Sequence, residues 1–571
     1  MGQGARVNAV HSMRRRALLA AAAGLPWAGC RHDDVPRYGG GWVGAQHERG
    51  HRLRDAHSEA KSGHRPAPDV QRRAGVIVVG AGIAGLAAAR ALNQAGVDDV
   101  RVFELEDSAG GNSRGHVMGG MACPLGAHYL PLPGERAVEV IALLEELGLR
   151  SNRAGHAVYD ERHLCHSPQE RLFIGGQWHE GLLPPIEALP LAQRVDTLAQ
   201  YRQFGAAVAQ AAQGGAFSMP TARSAWSPAL ARLDGLTLAQ WLDRQGLRAP
   251  ALRWYLDYCC RDDYGAGAAQ VSAWAGLHYF ASRHGFHAPG DEAEDREAVL
   301  TWPEGNAWLS RRLAEPLRER LHTGTVVLRV DEGRHEVSVE VWNATLQRAE
   351  RWTAAHVVLA VPLFVAARLL VAAPEALTHA VAQMRQAPWL VANLHLGEPL
   401  VDRGGAPPAW DNVLYDAEPA AAAALGYVDA MHQSTRPHAG PTVLTAYWAL
   451  GGDSAQQLQS QRARLLNEPW STWAQAVLLD LGRAHPDLIA KLRQVDLMRY
   501  GHAMSIPLPG VRSSAALSAL AAATGRVRFA HSDLSGYSVF EEALFHGHAA
   551  GQRLTIASGV RSPPPPPARP G

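Results

Sequence analysis

Residues 76–104 constrain the fold of this chain more than any other stretch. The aliphatic run 76–79 leads directly into Gly80, Gly82 and Gly85 in G-x-G-x-x-G spacing, then an Ala/Leu-rich helical segment, then a second strand ending on Glu104. That order of elements makes a complete βαβ unit for a dinucleotide. Gly80 permits the tight turn, Gly82 lets the backbone approach a pyrophosphate, and Gly85 lets helix and strand pack closely. The free N–H groups of the first helical turn, at Ile83 and Ala84, and the positive end of the helix dipole face the phosphates. Glu104 stands about 20 residues after the last glycine, where an acid accepts hydrogen bonds from ribose hydroxyls. A bare glycine turn is the alternative, and strand, helix and acid together weigh against it.

Beyond the acid the chain reads Glu104-Leu105-Glu106-Asp107-Ser108-Ala109-Gly110-Gly111-Asn112-Ser113, and later Leu125-Gly126-Ala127-His128-Tyr129. These runs resemble the flavin amine oxidase superfamily, which includes monoamine and polyamine oxidases and phytoene-desaturase-like enzymes. In that family a Glu-led strand runs into Gly-Gly-Arg and later into a Gly-Gly/Ala-x-Tyr turn beside the flavin. Residues 300–309 are similar to its central Gly-rich turn, 324–330 to the adenine-side strand, 356–362 to the closing strand and 527–543 to the last motif. Several motifs in the right order are more specific than any one alone.

The resemblance implies an α/β fold: a Rossmann-like FAD-binding domain of the amine oxidase/glutathione-reductase type with an interleaved α+β substrate domain. The first is expected from 75–155, 300–362 and 499–557, the second from 156–299 and 363–498. FAD rather than NAD is implied. Its expected contacts are Gly80, Gly82, Ile83, Ala84, Gly85, Glu104, Leu105, Gly110, Gly111, Asn112, Ser113, Gly126, Ala127, His128, Tyr129, Val327, Asp533, Tyr537 and Val539. In the last motif the acid Asp533 would hold the ribityl or phosphate portion, while a helix N-terminus points at the isoalloxazine and stabilises negative charge there.

The chain departs from the family pattern in several places. Asn112 stands where Arg is usual, which removes one charge-assisted phosphate contact. His531 replaces a Gly, and the last motif is about two residues shorter than in monoamine oxidases, so Tyr537 is not assigned to their aromatic sandwich. The family typically places a Lys, through a water, at flavin N5. Here the only lysines are Lys61 and Lys491, and the strand 389–396 carries none, which leaves both oxygen and a quinone open as electron acceptor. No cysteine occurs in 527–555, so FAD is expected to be non-covalent.

Candidate chemistry gathers in 258–267 and the helix after it. A cationic amine needs carboxylates or aromatic faces in place of water, and Asp262, Asp263, Tyr264 and Trp274 are the densest such set. Trp274, His278 and, less exactly placed, Arg283 recur at near-helical spacing and could line one face. The competing reading makes the two aspartates helix caps paired with Arg261 and Trp274 a core residue. His502 is the best single candidate for a titrating group near the flavin, against a purely structural imidazole. The implied reaction is hydride transfer from a carbon next to nitrogen, or a comparable activated C–H, of a small-molecule substrate to flavin N5. A desaturase or isomerase acting on an apolar isoprenoid-like substrate, and a non-catalytic FAD-containing envelope protein, remain alternatives.

The chain has 571 residues and is 47% hydrophobic, enough for a large core and more than one lobe, while a net charge of +1 gives no reason to expect nucleic acid as a partner. Residues 13–30 have a basic start, an apolar run too short to span a bilayer and a small-residue end, which together read as a bacterial signal peptide. Arg15-Arg16-Ala17-Leu18-Leu19 resembles the twin-arginine type, and Ala28-Gly29-Cys30 the end of a lipoprotein box. A periplasmic location is expected, with lipidation of Cys30 and a membrane tether left open, as is Met13 as the true start. Residues 31–74 read as a flexible linker whose irregular histidines bind no metal, and 558–571 as a Pro-rich tail. With five cysteines the fold is expected to rest on its core rather than on disulfides, and 163–166 lacks a second pair of metal ligands. Strand-turn-strand at 171–179, helices at 191–212, 236–258 and near 455–483, and a strand at 443–448 are expected in the substrate lobe.

Overall fold

The computed structural model describes residues 38–62, 68, 70–283, 285–290, 298–415, 423–436 and 438–557. The expected signal peptide and the Pro-rich tail lie outside them. Along the chain come β1 (Gly39–Trp42), α1 (His47–Ser62), β2 (Val70–Val79), α2 (Ile83–Gln94) and β3 (Val100–Phe103). Then follow β4 (Glu170–Ile174), β5 (Gln177–Glu180), α3 (Leu191–Ala212), α4 (Pro250–Tyr264) and α5 (Ala273–Ala281). The middle supplies β6 (Leu321–His322), β7 (Thr325–Glu332), β8 (Val337–Asn343), β9 (Arg348–Leu359), β10 (Gln386–Leu396), β11 (Asp411–Leu414), β12 (Ala424–Asp429) and β13 (Thr442–Ala449). The last elements used here are β14 (Leu492–Ser505), β15 (Val527–Phe529) and α6 (Phe540–Ala557).

Two large sheets organise these elements. The first has the order β6-β3-β2-β9-β8-β7, with β15 also paired to β9. Its centre is parallel, β2 running beside both β3 and β9. Ile77 and Val78 are fully buried neighbours on opposite faces of β2, as expected of a strand covered on both sides. The second sheet, β1-β14-β10-β13-β12-β11-β4-β5, is antiparallel between β14 and β12 and parallel where β11 meets β4.

Helix α2 lies between the first sheet and α6. A Cβ at Gly85 would stand 1.9 Å from the Gly80 carbonyl oxygen, and one at Gly547 of α6 would stand 2.0 Å from that of Ala84. Only glycine allows either approach, so the turn, the helix and the last helix are pressed into one block.

Four sequence expectations are corrected. The segment 31–74 is not a flexible linker over its described part: β1 joins the edge of β14, Val43 N–H donates to Leu497 C=O (2.9 Å), and α1 follows. The first strand of the nucleotide unit begins at Val70, so it extends into the expected linker. The helix expected over 236–258 is two helices, Leu238–Arg244 and α4, broken at Gly246 with its positive φ and restarted at Pro250. The strand β14 places 499–505 in the second sheet rather than with the nucleotide-binding elements. Cys123, Cys165, Cys259 and Cys260 are all free thiols, and no cluster suited to a metal exists among the described residues.

Candidate active site

The helix N-cap Gly82 has no side chain to offer, so the N–H groups of the first turn of α2 are left for a ligand. In front of them runs a groove of about 370 Å³. Gly80, Gly82, Ile83, Ala84, Glu104, Leu105, Gly110, Gly111, Asn112, Ser113, Ala127, Val327 and Val539 all line it. Glu104 is buried at the end of β3; one oxygen accepts from Ala81 N–H (2.8 Å) and the other from Glu106 N–H (2.9 Å). Burial pushes its pKa up, and these backbone donors and Arg114 draw it back. Each oxygen keeps a further lone pair for a hydroxyl donor. Asn112, in the expected arginine position, donates instead to Ala503 C=O (2.7 Å). Arg114, two residues on, braces the same turn through Gly111 C=O (3.0 Å). An uncapped helix terminus, a glycine-floored turn and a buried acid at the end of the second strand fit the two phosphates and the ribose of FAD.

A second cavity of about 150 Å³ adjoins the groove. Asn112, Ala127, Ala503, Ser538, Val539 and Phe540 belong to the walls of both, so the two spaces meet along this line. Gly126, His128 and Tyr129, expected at the cofactor, line this cavity rather than the groove. His128 stacks on Tyr447 with centroids 4.4 Å apart, and burial lowers its pKa to about 3, so it is a neutral ring. Tyr447 and Tyr500 are fixed by donating to the carbonyls of Gly126 (3.0 Å) and Leu125 (2.8 Å). Trp389 adds another aromatic wall.

The charged lining comprises Asp262, Asp263, Arg283 and Glu541. Arg283 Nη2 is committed to Asp263, at 3.0 and 3.3 Å from its two oxygens. Burial, reinforced by Asp263, raises the pKa of Asp262 to about 7, with Arg283 and Arg261 opposing. Burial also raises Glu541 to about 7, again against the pull of Arg283. Three carboxyls thus face one guanidinium, and two of them, Asp262 and Glu541, have no cation partner among the described residues. Asn306 contributes a buried Oδ1 that meets no donor among the described residues, while its Nδ2 donates to Tyr129 C=O (2.8 Å).

The remaining expected residues are placed elsewhere. Tyr264 is fully buried and donates to Ala275 C=O (2.9 Å). Trp274 stacks on His278 (4.8 Å), and His278 contacts Ser218 C=O through Nε2 (3.0 Å) in the core. The competing reading therefore holds for Trp274, and Tyr264 and His278 are core residues with it, whereas Asp262 and Asp263 do face the cavity and Asp263 pairs with Arg283 rather than Arg261. Tyr537, expected at the cofactor, points into the protein toward Met219 and Glu542. Asp533 lies behind the groove. Its carboxylate accepts from Leu363 N–H (2.8 Å) and from Ser505, tying the ends of β9 and β14 to the last motif. Gly85 serves packing rather than lining. His502 stands in the groove wall beside Phe364 (4.6 Å), with burial, Arg462 and Arg368 all disfavouring its protonation.

Sequence reasoning did not single out Glu541, Asn306, Tyr447, Tyr500 or Trp389 as site residues. The signal for Glu541 was present, since it is an acid inside the last motif, 527–543, and sits in the first turn of α6. The aromatic residues of β10, β13 and β14 gave none, because alternate aromatics on a strand look the same in a core as around a cavity.

A family model for flavin containing amine oxidoreductases matches residues 83–555. The chain belongs to this family. A Mycobacterium tuberculosis protein named as a flavin-containing monoamine oxidase is 27% identical over 270 residues, 47% of this chain and 53% of that one. The chain thus spans about half the length of the curated relatives it matches. Among solved structures, putrescine oxidase bound to putrescine aligns over 85% of this chain and all of that one with a TM-score of 0.60 at 18% identity. A fatty acid isomerase from P. acnes aligns over 86% of this chain and 99% of that one with the same TM-score of 0.60 at 16% identity. These two likenesses show the fold alone, and the same fold carries different chemistry.

Proposed function

We propose that this protein is an FAD-dependent oxidoreductase that oxidises a cationic amine. The observation that carries the reading is the meeting of an uncapped dinucleotide groove with an aromatic cavity holding two carboxyls, Asp262 and Glu541, that have no committed cation among the described residues. When bound, the flavin supplies the hydride acceptor. The chain supplies placement and charge. The rings of His128, Tyr129, Tyr447 and Trp389 replace water around an alkyl-ammonium, which aromatic faces attract. Asp262 and Glu541, each titrating at about 7, bind the ammonium in their ionised form and can take its proton, leaving the neutral amine from which hydride departs. An apolar isoprenoid-like substrate would leave these carboxyls desolvated and uncompensated, which disfavours that alternative.

FAD is held without a covalent bond in this reading. Electrons then pass to oxygen or a quinone. Lys491 pairs with Asp487 (2.7 Å), and no lysine lines the groove or the cavity among the described residues. Export to the periplasm, with or without a lipid on Cys30, is part of the same proposal and rests on residues 13–30.

The test is reconstitution with FAD followed by anaerobic mixing with primary monoamines, diamines and neutral isoprenoid alcohols. Bleaching of the flavin by amines at slightly alkaline pH is expected. A protein that takes up no FAD, or whose flavin only the neutral compounds reduce, refutes the reading.

A further inference from the structure

We infer that the N-terminal segment ahead of the nucleotide motif, β1 with α1, is part of the cofactor site and closes its adenosine end. The family model begins at residue 83, well after this segment. Two residues of α1, Gly50 and Leu53, nevertheless stand in the groove wall, next to Phe103, Leu105 and Val327. Leu53 is 9% exposed and belongs to the apolar cluster that includes Phe103 and Val327, so it covers the open side of the space beyond Glu104.

The segment is held there by the acidic turn after β3. Gln46 N–H donates to the Glu106 carboxylate (3.0 Å) and its Nε2 to Asp107 (3.1 Å). Arg49 Nη1 donates to Leu105 C=O (3.0 Å) and to Asp107 (2.7 Å). From the other side, Arg114 reaches Gly44 C=O (2.6 Å). A solitary exposed ion pair would hold such a segment weakly, but here four polar contacts converge on one turn, Arg114 adds a fifth, and an apolar residue docks beside them. The acids that follow Glu104 thus do more than end the strand: they fasten an upstream helix over the groove.

Gly50 supplies the discriminating test. A Cβ built on it meets no protein atom within 4 Å, so a larger side chain extends into open space at the groove wall rather than into the fold.

This inference rests on the groove being the FAD site. The experiment titrates apoprotein with FAD by fluorescence quenching and follows release after dilution, for the full chain and for Gly50→Leu and Leu53→Ala. Leucine is a better helix former than glycine, so Gly50→Leu keeps or raises the apoprotein melting temperature. Its FAD dissociation constant is expected to rise about tenfold because its side chain competes for the groove. Leu53→Ala is expected to release FAD about tenfold faster, as befits losing a few methylenes of apolar cover. Arg464→Ala, at an exposed pair with Glu468 on another element, should change neither. Gly50→Leu binding FAD as tightly as the unaltered chain, with Leu53→Ala releasing it no faster, overturns the inference while leaving the FAD reading intact. Absence of FAD binding by the unaltered chain overturns both.

Discussion

Replacing Asp262 with asparagine tests the charge logic of the cavity directly. Its carboxyl is displaced from an ordinary 3.8 to about 7 by burial and by Asp263. A displacement of that size corresponds to about 4 kcal/mol held against the ionised form. An ammonium lodged beside it reverses the balance. At an effective dielectric near 20, unit charges about 4 Å apart attract by about 4 kcal/mol. After desolvation, about 1.5–3 kcal/mol of this survives as net binding, the range for a hydrogen bond to a charged group. Asp262→Asn should therefore raise KM for a cationic amine by about 10- to 100-fold at about pH 8. The deficit should shrink towards nothing as pH falls below 7, where the unaltered carboxyl is itself neutral. Stability runs the other way. The folded pKa lies above the unfolded one, so ionisation opposes folding: the penalty is absent below the unfolded value, grows as pH rises, and is complete above about 7. The asparagine apoprotein should thus melt above the unaltered one at about pH 8 and level with it at about pH 4. Steady-state kinetics across pH and thermal melts of apoprotein measure both trends. A KM ratio independent of pH, or an asparagine variant that is less stable under alkaline conditions, refutes the reasoning.

Three further outcomes are expected. Gly85→Ala forces a Cβ to within 1.9 Å of the Gly80 carbonyl oxygen, and should cost about 1–3 kcal/mol in urea unfolding together with loss of FAD binding. Glu104→Gln puts an amide N–H against either Ala81 N–H or Glu106 N–H, and FAD titration should show affinity about tenfold weaker. Glu542, fully buried, accepts from Thr221 N–H (2.6 Å), Tyr537 O–H (3.3 Å) and Ser535. Glu542→Ala strands those donors and should lower unfolding free energy by about 3 kcal/mol or more, read from the urea midpoint.

The parts of the molecule that were legible in the sequence are those governed by backbone chemistry. Gly80, Gly82 and Glu104 could be placed because a turn, a close approach and a strand-end acid each demand a narrow choice of residue. The helix at Leu191–Ala212 was legible from periodicity alone. The segment 236–258 was not, because its apolar pattern continues through Gly246 and Pro250, which break the helix locally. The cavity was half legible. Asp262 and Asp263 stood out as adjacent acids, but Trp274 and His278, on a neighbouring helix with suitable spacing, turn into the core. Sequence spacing says which residues share a face and not what that face meets. Glu541 and Tyr447 join Asp262 only through tertiary contacts between distant segments. The hidden role of α1 had the same origin: a strongly polar helix reads as solvated when its partners, Glu106 and Asp107, lie across a strand and a helix.

Because Phe540 and Ala543 wall the same groove as Gly50 and Leu53, a chain that stops short of residue 540 does not possess it. Residues 50 through 543 must all have been synthesised before the groove can be assembled. Cofactor capture is then a late event, and ligand that binds only the folded form shifts its equilibrium by mass action.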